Sequence, residues 1–98
     1  MTSREALRRL DRNREKLRTF DVRHIAVLGS TARDQATLQS DVDVLVEFDP
    51  QAPVGLFTFV RLLDYLSDVM GTRIDLATLA ALRPEMRDEI LAEAVRAF

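Results

Sequence analysis

The stretch "GSTARDQATLQSDVDVLVEF", Gly29 to Phe48, decides how this chain is read. Its second half alternates with period two: Val42, Val44, Val46 and Phe48 fall on one side, and Asp41, Asp43, Leu45 and Glu47 on the other. That is the signature of a strand with one buried face. Residues i and i+2 of a strand project from the same face roughly 6.5–7 Å apart, so Asp41 and Asp43 share one side of the strand head. Two carboxylates so close raise each other's pKa. They are either solvated strand-end residues or the walls of a site that holds positive charge.

Just before this stretch, "HIAVLG" (His24 to Gly29) is a short apolar run with β-branched residues, and it reads as a buried strand ending in glycine. "STARDQA" reads as a short helix starting at Ser30, a good N-cap residue, and positions 35–40 are polar and turn-like. Farther out, about Ser3 to Thr19 is predicted as one helix, with Thr2 and Glu5 at capping-box spacing and an apolar stripe through Ala6, Leu7, Leu10 and Leu17. "DPQAPVG" is a loop. Leu56 to Met70 carries apolar residues at 56, 59, 60, 63, 66 and 70, a helical stripe with Gly71 as its C-cap; Phe57 and Leu62 are surplus apolar positions with reach to a partner. "TRIDLAT" is a short strand with Arg73 and Asp75 on one face. A closing helix opened by Pro84 is expected to bury Met86, Ile90, Leu91, Val95 and Phe98. The order is helix, strand, short helix, strand, helix, strand, helix. It predicts one α+β domain over residues 1–98, three strands covered by helices.

Composition narrows the function. At 98 residues and 47% hydrophobic, the chain supports one modest core and leaves no length for a separate substrate domain. The net charge of −2 argues against direct nucleic-acid binding by the molecule as a whole, although Arg4 to Arg18 is basic and Asp34 to Asp49 acidic. The absence of cysteine excludes disulfides and thiolate metal sites. No secretory signal and no membrane-spanning run is visible, so a soluble cytoplasmic protein is expected. His24, the only histidine, reads as structural, and Tyr65, the only tyrosine, as partly buried. Glu47 lies farther along the face of the aspartates and reads as solvated or ion-paired.

If the third strand pairs beside the second, Asp75 joins Asp41 and Asp43. Three carboxylates at one spot call for a divalent cation, and hard oxygen donors without Cys or clustered His favour Mg²⁺ or Mn²⁺ over zinc. The other end of the opening stretch supplies the phosphate side. Gly29 has no Cβ to keep phosphates off the backbone, the amides after it open a helix N-terminus, Ser30 adds a hydroxyl, and Arg33 adds a guanidinium fork. Together these parts describe a triphosphate held between a helix N-terminus and metal-bound aspartates.

Gly-Ser after a strand, ten residues, Asp-x-Asp opening a second strand and a later strand Asp form a specific combination. On it the chain resembles the minimal nucleotidyltransferases of the DNA polymerase β-like superfamily. The resemblance extends through "GSTAR", "SDVDVLVEF", "RIDLAT" and "LRPEMRDEILAEAV". It implies a nucleotidyltransferase fold with a small mixed sheet. It also implies that Gly29 and Ser30 form the phosphate-binding pair, and that Asp41, Asp43 and Asp75 are the metal ligands and catalytic acids. Many such proteins are antitoxins of a HEPN-domain ribonuclease toxin and transfer AMP from ATP to a tyrosine of it. One position departs: the family often has Gly after Ala-Arg, and here Asp34 follows Arg33. Its charge either weakens nucleotide binding or points to solvent. Two rival readings stay open at this point. One is a module that neutralises its partner by occlusion alone. The other, a small-molecule nucleotidyltransferase, lacks length for the usual further domain.

Overall fold

The computed structural model describes residues 1–33 and 41–98, so Asp34 and the rest of 34–40 lie outside the described residues. Helices α1 (Ser3–Arg12) and α2 (Arg14–Arg18) lead into strand β1 (Val22–Leu28) and a one-turn helix α3 (Gly29–Ala32). Strand β2 (Val42–Phe48), helix α4 (Leu56–Met70), strand β3 (Ile74–Thr78) and a 3₁₀ turn at Leu79–Ala81 follow. Helix α5 (Pro84–Glu93) and a two-residue strand β4 (Val95–Arg96) close the chain.

The sheet runs β3-β2-β1-β4, with β2 parallel to β3 and antiparallel to β1. The α+β, mixed-sheet expectation holds, with one strand more than the three predicted. Val95 and Arg96 do not continue the last helix; they pair antiparallel with Val27 and Ala26. Without them one edge of β1 would leave its amides and carbonyls unpaired. Ala97 N–H donates to the Ile25 carbonyl, and Ile25 N–H to the Phe98 carbonyl. The Phe98 ring then lies in the core under the guanidinium of Arg14, 4.9 Å from the ring centroid.

The period-two reading of β2 holds: Val42, Val44 and Val46 are buried against the helices, and Ile25 and Val27 of β1 join them. Each such side chain contributes about 1.5–3 kcal/mol of transfer free energy. Thr2 caps α1 as expected, accepting from Glu5 N–H at 3.1 Å.

Three expectations about the helices are corrected. The first helix breaks at Asn13, whose side-chain amide donates to the Arg9 carbonyl (2.7 Å) while its own oxygen accepts from Tyr65 (2.7 Å). A side chain that competes for backbone partners in this way ends a helical run. Helix α4 seats itself by its last two turns, burying Leu62, Leu66 and Met70, while Leu56, Phe57 and Val60 at its start are exposed. Of the two surplus apolar positions, Leu62 is therefore core and Phe57 is exposed. Finally, α5 buries none of its residues fully: Met86 and Leu91 are exposed, and Ile90 is half-buried. Gly71 does end α4 in the left-handed conformation (φ 68°). Among the described residues no helix is long and apolar enough to cross a membrane.

Candidate functional site

The register of β2 between its two neighbours builds the site. Asp43 is the Cα partner of Leu28 on β1 and of Asp75 on β3. Leu28 is the last residue of β1, so the next residue, Gly29, turns directly beside Asp43. A Cβ added at Gly29 would fall 2.5 Å from Asp43 Oδ2, and the glycine has φ +62°. Both facts favour glycine here: the left-handed backbone is costly for any residue with a Cβ, and a Cβ would push the Asp43 carboxylate aside. Thus the sequence motifs "GS" and "DVD", twelve positions apart from Gly29 to Asp41, are neighbours in the fold.

Asp43 is half-buried and Asp75 exposed. The Asp43 carboxyl is held above its ordinary value by burial first, then by the charge and hydrogen bonding of Asp75 and the charge of Asp41; Arg33 opposes them. That Arg33 acts on Asp43 places its guanidinium within electrostatic reach of the carboxylates. It also approaches Glu93 on α5, Nη1 to Oε2 3.9 Å. Asp41 is exposed just before β2, with Oδ1 4.0 Å from Nε of Arg73. Ser30 does not cap α3: Leu28 holds the N-cap position, and Ser30 is half-buried inside the single turn.

All six sequence-predicted residues therefore come to one end of the sheet. Asp43 lies beside both Gly29 and Asp75, Ser30 follows in the same turn as Gly29, and the charges of Asp41 and Arg33 act on Asp43 with opposite sign. Among the described residues no three acidic or imidazole groups are gathered closely enough to hold an ion as they stand. The donor set nevertheless fits a hard divalent cation. A half-buried carboxyl with raised proton affinity, beside a second and a third carboxylate, marks a place short of positive charge.

Sequence reasoning gave no role to three neighbours of these residues. Arg73, on the face of Asp75, approaches Asp41. Glu93 meets Arg33. Thr31 is fully buried in α3 with its hydroxyl unpartnered among the described residues. Only the first carried a local signal, the alternation of "TRID". A larger groove of about 860 Å³ lies at the opposite end of β2 and β3, lined by Phe48, Leu56, Phe59 and Leu79 among others, and includes none of the six residues.

A strand-end glycine thus turns onto a carboxylate pair across three adjacent strands. The chain belongs to the nucleotidyltransferase domain family, whose model matches residues 7–97. It is 40% identical over 76 residues to the protein adenylyltransferase MntA of Thermococcus cleftensis, a stretch covering 78% of this chain and 75% of that protein. A solved structure described as a minimal nucleotidyltransferase superposes with a TM-score of 0.82 at 28% identity, over 97% of this chain and 95% of its own. A chain from the complex of tri-AMPylated Shewanella oneidensis HEPN toxin with MNT antitoxin shares the fold, with a TM-score of 0.64 at 15% identity over 94% of this chain and 71% of that one.

Proposed function

We propose that this protein is an antitoxin that adenylylates a partner HEPN-type toxin, moving AMP from ATP to a tyrosine hydroxyl of it. The observation that carries this reading is the closeness of Gly29 to Asp43, itself paired across the sheet with Asp75, in a chain similar to a protein adenylyltransferase. The fold-level likeness to an antitoxin in complex with an AMPylated toxin supports the choice of partner.

In this reading Asp41, Asp43 and Asp75 hold Mg²⁺ or Mn²⁺, which supplies neutralising charge for the triphosphate and lowers the pKa of a nearby hydroxyl. The chain's own groups do the rest. The backbone at Gly29 and Ser30 lets the phosphates approach closely, and Arg33 neutralises part of their charge. Asp75, exposed at the sheet edge, accepts the proton of the incoming tyrosine hydroxyl. The hydroxyl oxygen bonds to the α-phosphorus as the α–β bridging bond breaks. The electron pair leaves with pyrophosphate, and AMP remains on the acceptor. The protein's contribution is positioning and electrostatics.

The test is to incubate the domain with Mg²⁺, ATP and its partner and weigh the partner by mass spectrometry. One or more added AMP masses, lost in the Asp41→Asn/Asp43→Asn variant, are expected. If that variant neutralises the partner as well as wild type, without nucleotide, neutralisation is by occlusion and the catalytic reading fails.

A further inference from the structure

The outer face of the sheet, away from the helical core, carries Asp43, Leu45 and Glu47 in succession on β2, paired with Leu28, Ala26 and His24 on β1. Helix α5 passes over the far part of this face and leaves a cleft of about 170 Å³. Ala26, Leu45 and Leu91 line it together with the polar side chains of His24, Glu47 and Arg96. An apolar cavity of about 150 Å³ is enough to take a benzene ring. The cleft is therefore sized for an aromatic ring system with its edge projecting from the open side. The His24 Nδ1 atom is out of water and has no hydrogen-bond partner among the described residues. A buried polar atom of this kind wants a partner.

The direction of the reaction selects the occupant. We propose that this cleft is the subsite for the base of the donor nucleotide, an inference that rests on the adenylyl-transfer reading above. The phosphates leave toward Gly29, at the end of β1, and the acceptor arrives from Asp75, on the edge strand β3. The line of displacement thus runs across the strands. Attacking and leaving oxygens lie in line in such a transfer. The nucleoside is bonded to a third, equatorial oxygen, so it extends at right angles to that line, in a plane that contains the strand direction. In that direction the residue pair beyond Leu28 and Asp43 on this face is Ala26 and Leu45, the floor of the cleft. It lies one pleat, roughly 6.5–7 Å, from Asp43, which is the reach of a ribose. The amine-bearing edge of the base then meets Glu47 and His24.

The test compares ATP with inorganic tripolyphosphate, each with Mg²⁺, using calorimetry and methyl and amide NMR on the full chain. ATP is expected to bind more tightly than tripolyphosphate and to shift the Leu45 and Leu91 methyl resonances by ring current. Tripolyphosphate should perturb the Gly29 amide without moving those methyls. Leu91→Ser, at an exposed wall position that leaves the core intact, should weaken ATP roughly fivefold to tenfold and leave tripolyphosphate unchanged. If both ligands perturb Gly29 but ATP leaves the two leucines unmoved and Leu91→Ser changes nothing, the base lies elsewhere and the cleft proposal is overturned while the site stands. If neither ligand perturbs Gly29 or Asp43, the adenylyl-transfer reading itself is overturned.

Discussion

A Cβ placed on Gly29 stands 2.5 Å from Asp43 Oδ2, and the glycine backbone is left-handed. Gly29→Ala is therefore expected to do two things. The left-handed conformation costs an L-residue about 1–2 kcal/mol, and each kcal/mol lowers Tm by about 4–8 °C in a domain of this size. The Asp43 carboxylate, being the end of a side chain, swings aside and leaves Asp75. A displacement of that order at a reacting centre costs roughly a hundredfold in rate. Transfer should thus fall far more than stability, read from kinetics beside a melting curve. Retention of near-wild-type transfer in a folded Gly29→Ala protein would show that the contact is structural only.

The Asp43 carboxyl gives a pH signature. Its folded pKa lies above the ordinary 3.8, through burial first and through Asp75 and Asp41 next. The folded state then holds the proton more firmly than the unfolded chain. This group's contribution to stability is complete below the ordinary value and is lost as pH rises through the raised one. Asp43→Asn removes that loss. Without divalent cations, wild type and Asp43→Asn should melt alike at acid pH, and the variant should melt higher at neutral pH. Parallel Tm curves across the whole range would count against the charge-crowding account.

The part of the molecule legible in sequence is the part whose signal is local. β2 was readable because its valines alternate and its aspartates sit at its head. The meeting of Asp75 with Asp43 needed only that β3 lie beside β2, and the parallel register delivers it. What escaped was set by distant partners. Val95 and Phe98 have helical spacing, but the unpaired edge of β1 draws Val95 into a strand. In α4, apolar residues at 56, 57, 59, 60, 62, 63 and 66 cover so much of the helix that periodicity does not choose the buried side. The sheet does, taking Leu62 and Leu66. Leu91 read as core and instead walls a cleft, because α5 only skims the sheet.

The break at Asn13 yields a stability prediction separate from catalysis. Tyr65 O–H donates to Asn13 Oδ1 at 2.7 Å, tying α4 to the α1–α2 joint, and the Tyr65 ring lies 5.5 Å from that of Phe20. Tyr65→Phe keeps the ring contact and loses the bond, at a cost of about 0.5–1.5 kcal/mol in urea unfolding. Asn13→Ala loses the same bond and the one to Arg9. The double variant should fall short of additivity by about the energy of the shared bond. Strict additivity would mean that the two side chains do not interact in solution. ATP affinity should stay at the wild-type value in all three.

Divalent cations supply the last prediction. Asp41, Asp43 and Asp75 repel one another without an ion, and the raised pKa of Asp43 reports that repulsion together with its burial. A ligand that binds only the folded state stabilises it by RT ln(1 + [L]/Kd), roughly 1.4 kcal/mol at ten times Kd. Mg²⁺ or Mn²⁺ should therefore raise the Tm of the wild-type domain at neutral pH, and chelation should reverse the rise. Asp43→Asn should abolish the response, since Asp43 lies between the other two. Asp41→Asn, already at the solvent edge beside Arg73, should weaken it less. A cation-induced rise of equal size in wild type and Asp43→Asn would place the ion somewhere other than these carboxylates.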